Sequence, residues 1–472
     1  MERPTRRAGG LHIAMVCDFF HPRVGGVETH IWSLSQALLR LGHKVVVVTH
    51  CYGEHGGVQQ MPNGLKVYYL PLVPFWRDVT LPTFFLFLPI FREICVYESI
   101  GIIHAHSIPS SLAAEAILCG QTMGLKLVYT DHSLYGEHDL ASIHVNALLK
   151  WALAAVDRVV AVSKACAQSL CTRCDLRDTD VTVIPNAVDA GRFYPAAHAA
   201  GNPLVEAGPT LGPGCPVPKQ SIGIIVLSRL THRKGVGLLA EVLPLLCRRF
   251  PEVRIVIGGD GPKRKLLETA RAKHGLQNCV YMVGEVDPGC VRELLHRGQI
   301  LLNCSLTESF GITLLEAAAC GLLTVSTNVG GIPDVLPRDM AILAPPEPEA
   351  LVNAVGKAID RLETVDPHDF HKRVSEAYSW EKTAKMTEQV YEASCRCEQT
   401  ELADRFLRCL RRSSVFGVLL CMIAAALHVE LLFLEWIRPR PRAETLSRDA
   451  FGSTASKVLD KVVQRPQQKE EM

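Results

Sequence analysis

The sequence predicts an α/β protein built from two doubly wound parallel-sheet domains, followed by one long apolar helix. Short, nearly continuous apolar runs such as Lys44 to Thr49 and Ile222 to Leu227 alternate with longer segments of helical periodicity, the pattern of a sheet buried on both faces. The turns after several strands are rich in glycine, at Gly25-Gly26, Gly259 and Gly330-Gly331. With 472 residues, 48% of them hydrophobic, the chain exceeds the ~250–300 residues at which a single core stops growing. An abrupt run of small residues, Gly and Pro from Ala196 to Lys219 separates the halves as a flexible insertion.

Residues 1–10 form a basic, Gly-rich overhang. Leu11 to Val16 reads as a first buried strand, broken at Asp18 and too short for the apolar region of a secretion signal. A helix from Val27 to Leu41 places Ile31, Leu34, Leu38 and Leu41 at core spacing, and Lys44 to Thr49 completes a βαβ start. Gly25 and Gly26 let the backbone approach a phosphate, although the spacing is not that of a nicotinamide-binding loop. Pro74 to Ile94 holds an apolar core, Leu81 to Phe91, short of the ~20 residues a membrane span requires. It reads equally as a helix packed on the sheet and as a Phe-rich surface resting on a membrane. The strand Ile100 to Ile103 leads to His104 and His106, which share a side. No third metal ligand is evident beside them, so structural or acceptor-facing roles are expected and a metal is not. Leu125 to Tyr129 ends at Thr130-Asp131-His132-Ser133, and Arg158 to Val162 and Val181 to Pro185 complete a first domain, 11–195.

The second domain, 220–377, alternates the strands Ile222 to Leu227, Val253 to Gly258, Val280 to Val283, Ile300 to Asn303 and Leu323 to Thr327 with helices. A helical stretch over 378–400 follows. Val415 to Ile437 is long and apolar enough to span a bilayer, although His428, Glu430 and Glu435 call for an interface or a partner helix. An amphipathic hairpin or partner-docking helix is the other reading. Arginines flank both ends, so charge does not orient it. Residues 438–472 form a polar tail. A net charge of +2 provides no field for nucleic acid. Seventeen scattered cysteines suit reduced thiols in a cytosolic compartment, and Cys171-x-x-Cys174 lacks the second pair of a zinc site.

The stretch Asn303 to Cys320 carries the chemistry. It reads as strand, loop and helix, with Ser309, Phe310, Gly311 and Ile312 where the helix opens. Unpaired amides and the helix dipole make that point a phosphate site. Glu308 lies in the loop, and Glu316, two helical turns on, can reach a hydroxyl such as a ribose. A buried helix with one capping and one solvated Glu fits the same residues. The loop after Ile222 to Leu227 carries Arg229, Arg233 and Lys234, cations suited to a diphosphate at the carboxyl end of a parallel sheet.

SRLTHRKG, GGDGP, ESFGITLLE and GGIPDV occur in this order, and together they resemble the retaining glycosyltransferases of family 4. The first half adds DFFHPRVGGVETHI, GLKVYYLP, IIHAHS, TDHSLYG and VIPNAVD. These resemble the phosphatidylinositol N-acetylglucosaminyltransferase branch of that family, over Leu11 to Ser394. The resemblance implies a GT-B fold, two Rossmann-like domains facing across a cleft, with a helix that returns to brace the first. It implies UDP-GlcNAc as donor, phosphatidylinositol as acceptor, and no cofactor or metal. Arg229 and Lys234 would contact the diphosphate and Glu316 the ribose. Glu308 would hold a sugar hydroxyl, and Gly25, Gly26, Gly259 and Ser309 to Ile312 would line the donor. His104 and His106 would face the acceptor side, and His132, a catalytic residue with Glu308, Arg229 and Lys234, would approach the donor sugar or the acceptor. It also implies partner chains in a multi-subunit complex and a single-pass chain in the endoplasmic reticulum membrane with its domains on the cytoplasmic side. The competing expectations are a retaining glycosidase, a related lipid mannosyltransferase and a non-catalytic membrane protein.

Overall fold

The computed structural model describes residues 10–76, 78–134, 140–196, 221–397, 402–412 and 415–439. The basic overhang up to 9, nearly all of the inserted stretch 196–219, Tyr135 and Gly136 of the TDHSLYG motif, and the tail from 440 lie outside these residues. The chain forms two compact units. The first comprises Met1–Val162, Ala167–Ile184 and Glu381–Met472, and the second Ser163–Cys166 and Pro185–Trp380.

In the first unit the strands are β1 (His12–Val16), β2 (Lys44–His50), β3 (Gly57–Gln60), β4 (Lys66–Leu70), β5 (Pro74–Trp76) and β6 (Val79–Thr80). They continue with β7 (Ile102–His106), β8 (Lys126–Asp131), β9 (Arg158–Ala161) and β10 (Val181–Val183). The helices are α1 (Gly26–Arg40), α2 (Phe87–Tyr97), α3 (Ser111–Met123), α4 (Leu140–Ala155) and, from Ala167 on, α5 (Lys164–Cys174). The main sheet runs β10-β9-β8-β7-β1-β2-β4-β3, parallel except where β3 meets β4. β1 therefore lies between β2 and β7, at the point where the winding reverses and the strand ends splay to leave room for a ligand. Ile13 to Val16 are fully buried, and α1 covers the sheet with Ile31, Leu34 and Leu38 as their spacing predicts.

β7 starts two residues later than the sequence suggests and continues through His106, so both histidines lie inside the strand. A central strand accepts them because their ring nitrogens find partners. His104 Nδ1 lies 2.7 Å from Tyr391 Oη and its Nε2 2.7 Å from Thr130 Oγ1. The ambiguous stretch 74–94 divides between a β5–β6 hairpin and the start of α2. Phe87, Leu88, Phe91 and Ile94 are buried, whereas Phe75, Leu81, Phe85 and Leu86 are exposed.

The second unit contains β11 (Ile222–Leu227), β12 (Val253–Gly258), β13 (Val280–Gly284), β14 (Ile300–Asn303), β15 (Leu323–Thr327) and β16 (Ala341–Ala344). Its helices are α6 (Val236–Arg249), α7 (Arg264–Lys273), α8 (Val291–Leu295), α9 (Ile312–Ala319), α10 (Pro348–Arg361) and α11 (Pro367–Ala377). The all-parallel order β13-β12-β11-β14-β15-β16 reverses between β11 and β14. Residues 185–195, which the sequence reads as the end of the first domain, pack here. The Arg292 guanidinium lies 4.5 Å from the Tyr194 ring centre, and His296 Nε2 lies 2.7 Å from the Tyr194 carbonyl oxygen.

The chain ends with α12 (Trp380–Arg396), α13 (Leu402–Arg412) and α14 (Val415–Ile437). α12 packs on the first unit through Tyr391, through an Arg40–Glu381 ion pair of 3.2 Å and through Lys126 donating to the Cys397 carbonyl. Among the described residues one helix, over Gly417–Ile437, is long and apolar enough to cross a membrane. Its stripe Leu420, Ala424, Leu427 and Leu431 is buried, as expected for residues on one helical face. α14 packs against α2, α3 and α4, and Arg92 of α2 donates to the Arg438 carbonyl. The opposite side, with Leu419, Met422, Leu432, Phe433 and Trp436, is exposed.

Candidate active site

Four loops at the carboxyl ends of β11, β12, β14 and β15 are tied to one another by backbone hydrogen bonds. Leu230 N donates to Asp260 O and Lys263 N to Leu230 O, which joins the first two loops. Leu306 N donates to Arg233 O, and Gly331 N to Glu308 O, which brings in the other two. Two glycines make this weave possible. Gly235 adopts φ 69°, and a Cβ on it would overlap the Cys304 carbonyl oxygen. Gly259 adopts φ 122°, and its Cβ would overlap the Ser228 carbonyl oxygen. No other residue satisfies both the left-handed backbone and the approach.

Lys234 is thereby placed against Glu308, which its ammonium engages directly. Both are half-buried, with side chains 31% and 15% exposed, so solvent does not fully screen the pair. Ser305 Oγ lies 2.8 Å from Asn303 Oδ1 and 3.4 Å from Glu308 Oε2, and Asn303 Nδ2 donates to Ser326 Oγ. Gly311 caps α9, whose first residue is Ile312, and Phe310 is buried beneath the turn. Arg229 is exposed just beyond β11. Glu316 is half-buried on α9, and burial pushes its carboxyl up to about 7 against the opposing pull of Arg192. Arg192 donates to the Pro288 carbonyl. Its place beside α9 is not legible in the sequence, since nothing in the VIPNAVD segment reveals that the chain returns there.

The second unit therefore holds Arg229, Lys234, Gly259, Glu308, Ser309, Phe310, Gly311, Ile312 and Glu316. Gly25, Gly26, His104, His106 and His132 belong to the first. Gly25 caps α1 in extended conformation, and Glu28 folds back over it. At the end of β1 the Asp18 carboxylate accepts from Thr80 N and Oγ1, Ser110 Oγ and Leu112 N, which fixes the turn entering α3. His132 follows β8, behind a buried Asp131–Arg173 pair of 3.0 Å. His106 Nδ1 is 3.2 Å from His132 Nε2. His30 of α1 lies against both, with ring centres 5.6 Å from His106 and 4.6 Å from His132. Burial first, then the neighbouring imidazoles, hold His106 and His132 well below the usual histidine range. The same causes lower His104 to about 3. All three are neutral imidazoles at physiological pH.

Residues 24–192 match the Glycosyltransferase Family 4 profile and residues 216–377 the Glycosyl transferases group 1 profile. A phosphatidylinositol N-acetylglucosaminyltransferase subunit of Arabidopsis thaliana is 46% identical over 429 residues, 91% of this chain and 92% of that protein. The corresponding human protein is 39% identical over 439 residues, 92% of this chain and 87% of that one. Among solved structures, sucrose-phosphate synthase from Thermosynechococcus elongatus superposes with a TM-score of 0.67 at 20% identity, covering 81% of this chain and 98% of that one. Anabaena HepE in complex with UDP and glucose gives 0.61 at 17%, covering 81% and 99%. The architecture is the GT-B fold of these glycosyltransferases. Matched over nine-tenths of its length at such identity, the chain belongs to the phosphatidylinositol N-acetylglucosaminyltransferase branch of glycosyltransferase family 4 and is a glycosyltransferase.

Proposed function

We propose that this chain transfers N-acetylglucosamine from UDP-GlcNAc to the inositol of phosphatidylinositol with retention of configuration, the first step of GPI-anchor synthesis. The observation that carries the reading is the Lys234–Glu308 pair, held in the strand-end rim beside the start of α9, in a chain of this family. Lys234 and Arg229 neutralise the diphosphate as it departs, and amides at Ser309 to Ile312 and at Gly25-Gly26 add fixed dipoles. Lys234 exchanges its carboxylate partner for donor phosphate, which leaves Glu308 able to accept from a hydroxyl of the sugar. Gly259 lets the backbone come close to the donor, and Glu316 accepts from the ribose. His104, His106 and His132 serve the acceptor side, and donor phosphate takes the proton of the attacking hydroxyl.

A glycosidase would need two carboxylates facing each other across the bond at about 5–5.5 Å. Here Glu308 is engaged by a lysine instead, which favours transfer. α14 anchors the chain in the endoplasmic reticulum membrane through its exposed side, with the two units on the cytoplasmic face. Exposed Phe75, Leu81, Phe85 and Leu86 rest on lipid near where the acceptor enters. Other subunits complete the assembly, as the names of the relatives suggest.

Microsomes carrying the chain, supplied in parallel with labelled UDP-GlcNAc and labelled GDP-mannose, test the reading. Labelled N-acetylglucosaminyl-phosphatidylinositol from the first donor alone supports it. Mannosylated lipid would overturn the donor, and release of free sugar without any lipid product would overturn transfer itself.

A further inference from the structure

Three histidines from three separate elements meet inside the first unit: His30 from α1, His106 from β7 and His132 just beyond β8. Each offers a ring nitrogen, and these atoms all lie within 4.8 Å of one another. His30 is 3% exposed, His106 0% and His132 8%. Only the pair His104 and His106 is visible as a motif in the chain. Of the three ligands, His30 comes from a helix some seventy residues upstream of that pair, where it lies one turn beyond the Gly25-Gly26 opening.

We propose that His30, His106 and His132 form a binding site for a borderline transition-metal ion of the zinc class, with a fourth position left to an exogenous oxygen ligand. The geometry is close to what such an ion needs. Zinc–nitrogen bonds of about 2.0–2.1 Å in a tetrahedron place ligand nitrogens about 3.3–3.4 Å apart, and His106 Nδ1 and His132 Nε2 are already separated by 3.2 Å. The third nitrogen, at up to 4.8 Å, closes the triangle by a small swing of one ring. Three imidazoles and one open position are the ligand set of catalytic rather than structural zinc.

The ligands are supported from outside. His104 lies behind His106 with ring centres 4.1 Å apart, and it is itself fixed by Tyr391 and Thr130. The far nitrogen of His106, Nε2, is 3.4 Å from Met15 Sδ. The three ligands are uncharged, so the ion's charge favours an anionic fourth ligand. Arg229 and Lys234, the charged side chains assigned above to the diphosphate, belong to the second unit and are not among these ligands.

The full-length chain in its detergent-solubilised complex, stripped with chelator and titrated with Co²⁺, tests the site without reference to activity. The expected result is one equivalent bound, with the intense visible bands of four-coordinate cobalt, displaced by Zn²⁺. His30→Gln should weaken uptake by more than about tenfold, since even an outer partner of a ligand contributes that much. His274→Gln, at an exposed position in the second unit, should change nothing. Equal uptake by wild type and His30→Gln would overturn the proposal. So would a wild-type chain that takes up no cobalt, or shows only the weak bands of six-coordinate ion, and this arm decides the matter even where the variant fails to fold.

Discussion

Lys234 and Glu308 illustrate how one contact bears separately on stability and on chemistry. The pair is partly solvated, so breaking it should cost at most about 1 kcal/mol of stability. In the function proposed above the same ammonium is a preorganised positive group at the departing diphosphate, a role worth about 2.7–4 kcal/mol of barrier on the scale of an oxyanion-hole donor. Lys234→Ala is therefore expected to lower turnover by about 10²–10³-fold with little change in melting temperature. A variant that melts early and retains its turnover would assign Lys234 a purely structural task. Glu316 gives a pH signature. Its folded carboxyl is raised to about 7 by burial, so the folded chain holds that proton at pH values where the unfolded chain has lost it. The stability it contributes is fully present below the unfolded value and is lost as pH rises through about 7. If its ionised form accepts from the ribose hydroxyls, as proposed above, UDP affinity should rise between about pH 6 and about pH 8. Glu316→Gln should lose that component, and a rise of the same size in the variant would rule out the ribose assignment. Gly235→Ala meets both a left-handed backbone and the Cys304 carbonyl. It should abolish nucleotide binding by displacing the loop that carries Lys234, as UDP titration would show.

At the scale of elements, legibility follows how locally each element is specified. β11, β12, β14 and β15 have the ends their apolar runs predict, because each run is bounded by a polar or glycine residue. α9 likewise spans Ile312–Ala319, from Gly311 to the turn at Gly321. β7 departs from its sequence pattern because a histidine reads as a strand end. Tyr391, more than 280 residues away, supplies the hydrogen bond that lets His104 sit inside the strand. His30 and Arg192 are silent in the sequence for a related reason: each acquires its significance from residues distant along the chain. α14 shows both sides of this. Its length and apolarity are local properties, but the division into packed and exposed stripes is not. Leu427→Ala on the packed stripe should cost about 2–5 kcal/mol, seen as earlier thermal unfolding. Leu432→Ser combined with Phe433→Ser on the exposed side should leave unfolding unchanged and shift the chain from membrane pellet to supernatant. Firm retention in the pellet would place the anchor elsewhere.

For the whole molecule, the two parallel sheets form a scaffold shared with sucrose-phosphate synthase at only 20% identity. In the function proposed here, acceptor recognition and anchoring fall to the first unit's histidines and the terminal helix, while the second unit holds most of the predicted nucleotide residues. The most direct test of that division is UDP-GlcNAc binding and transfer measured side by side on the purified complex for wild type, Lys234→Ala and His132→Ala. Loss of transfer in both variants, with UDP affinity weakened only in Lys234→Ala, is the predicted result. Undiminished transfer by Lys234→Ala would contradict the account.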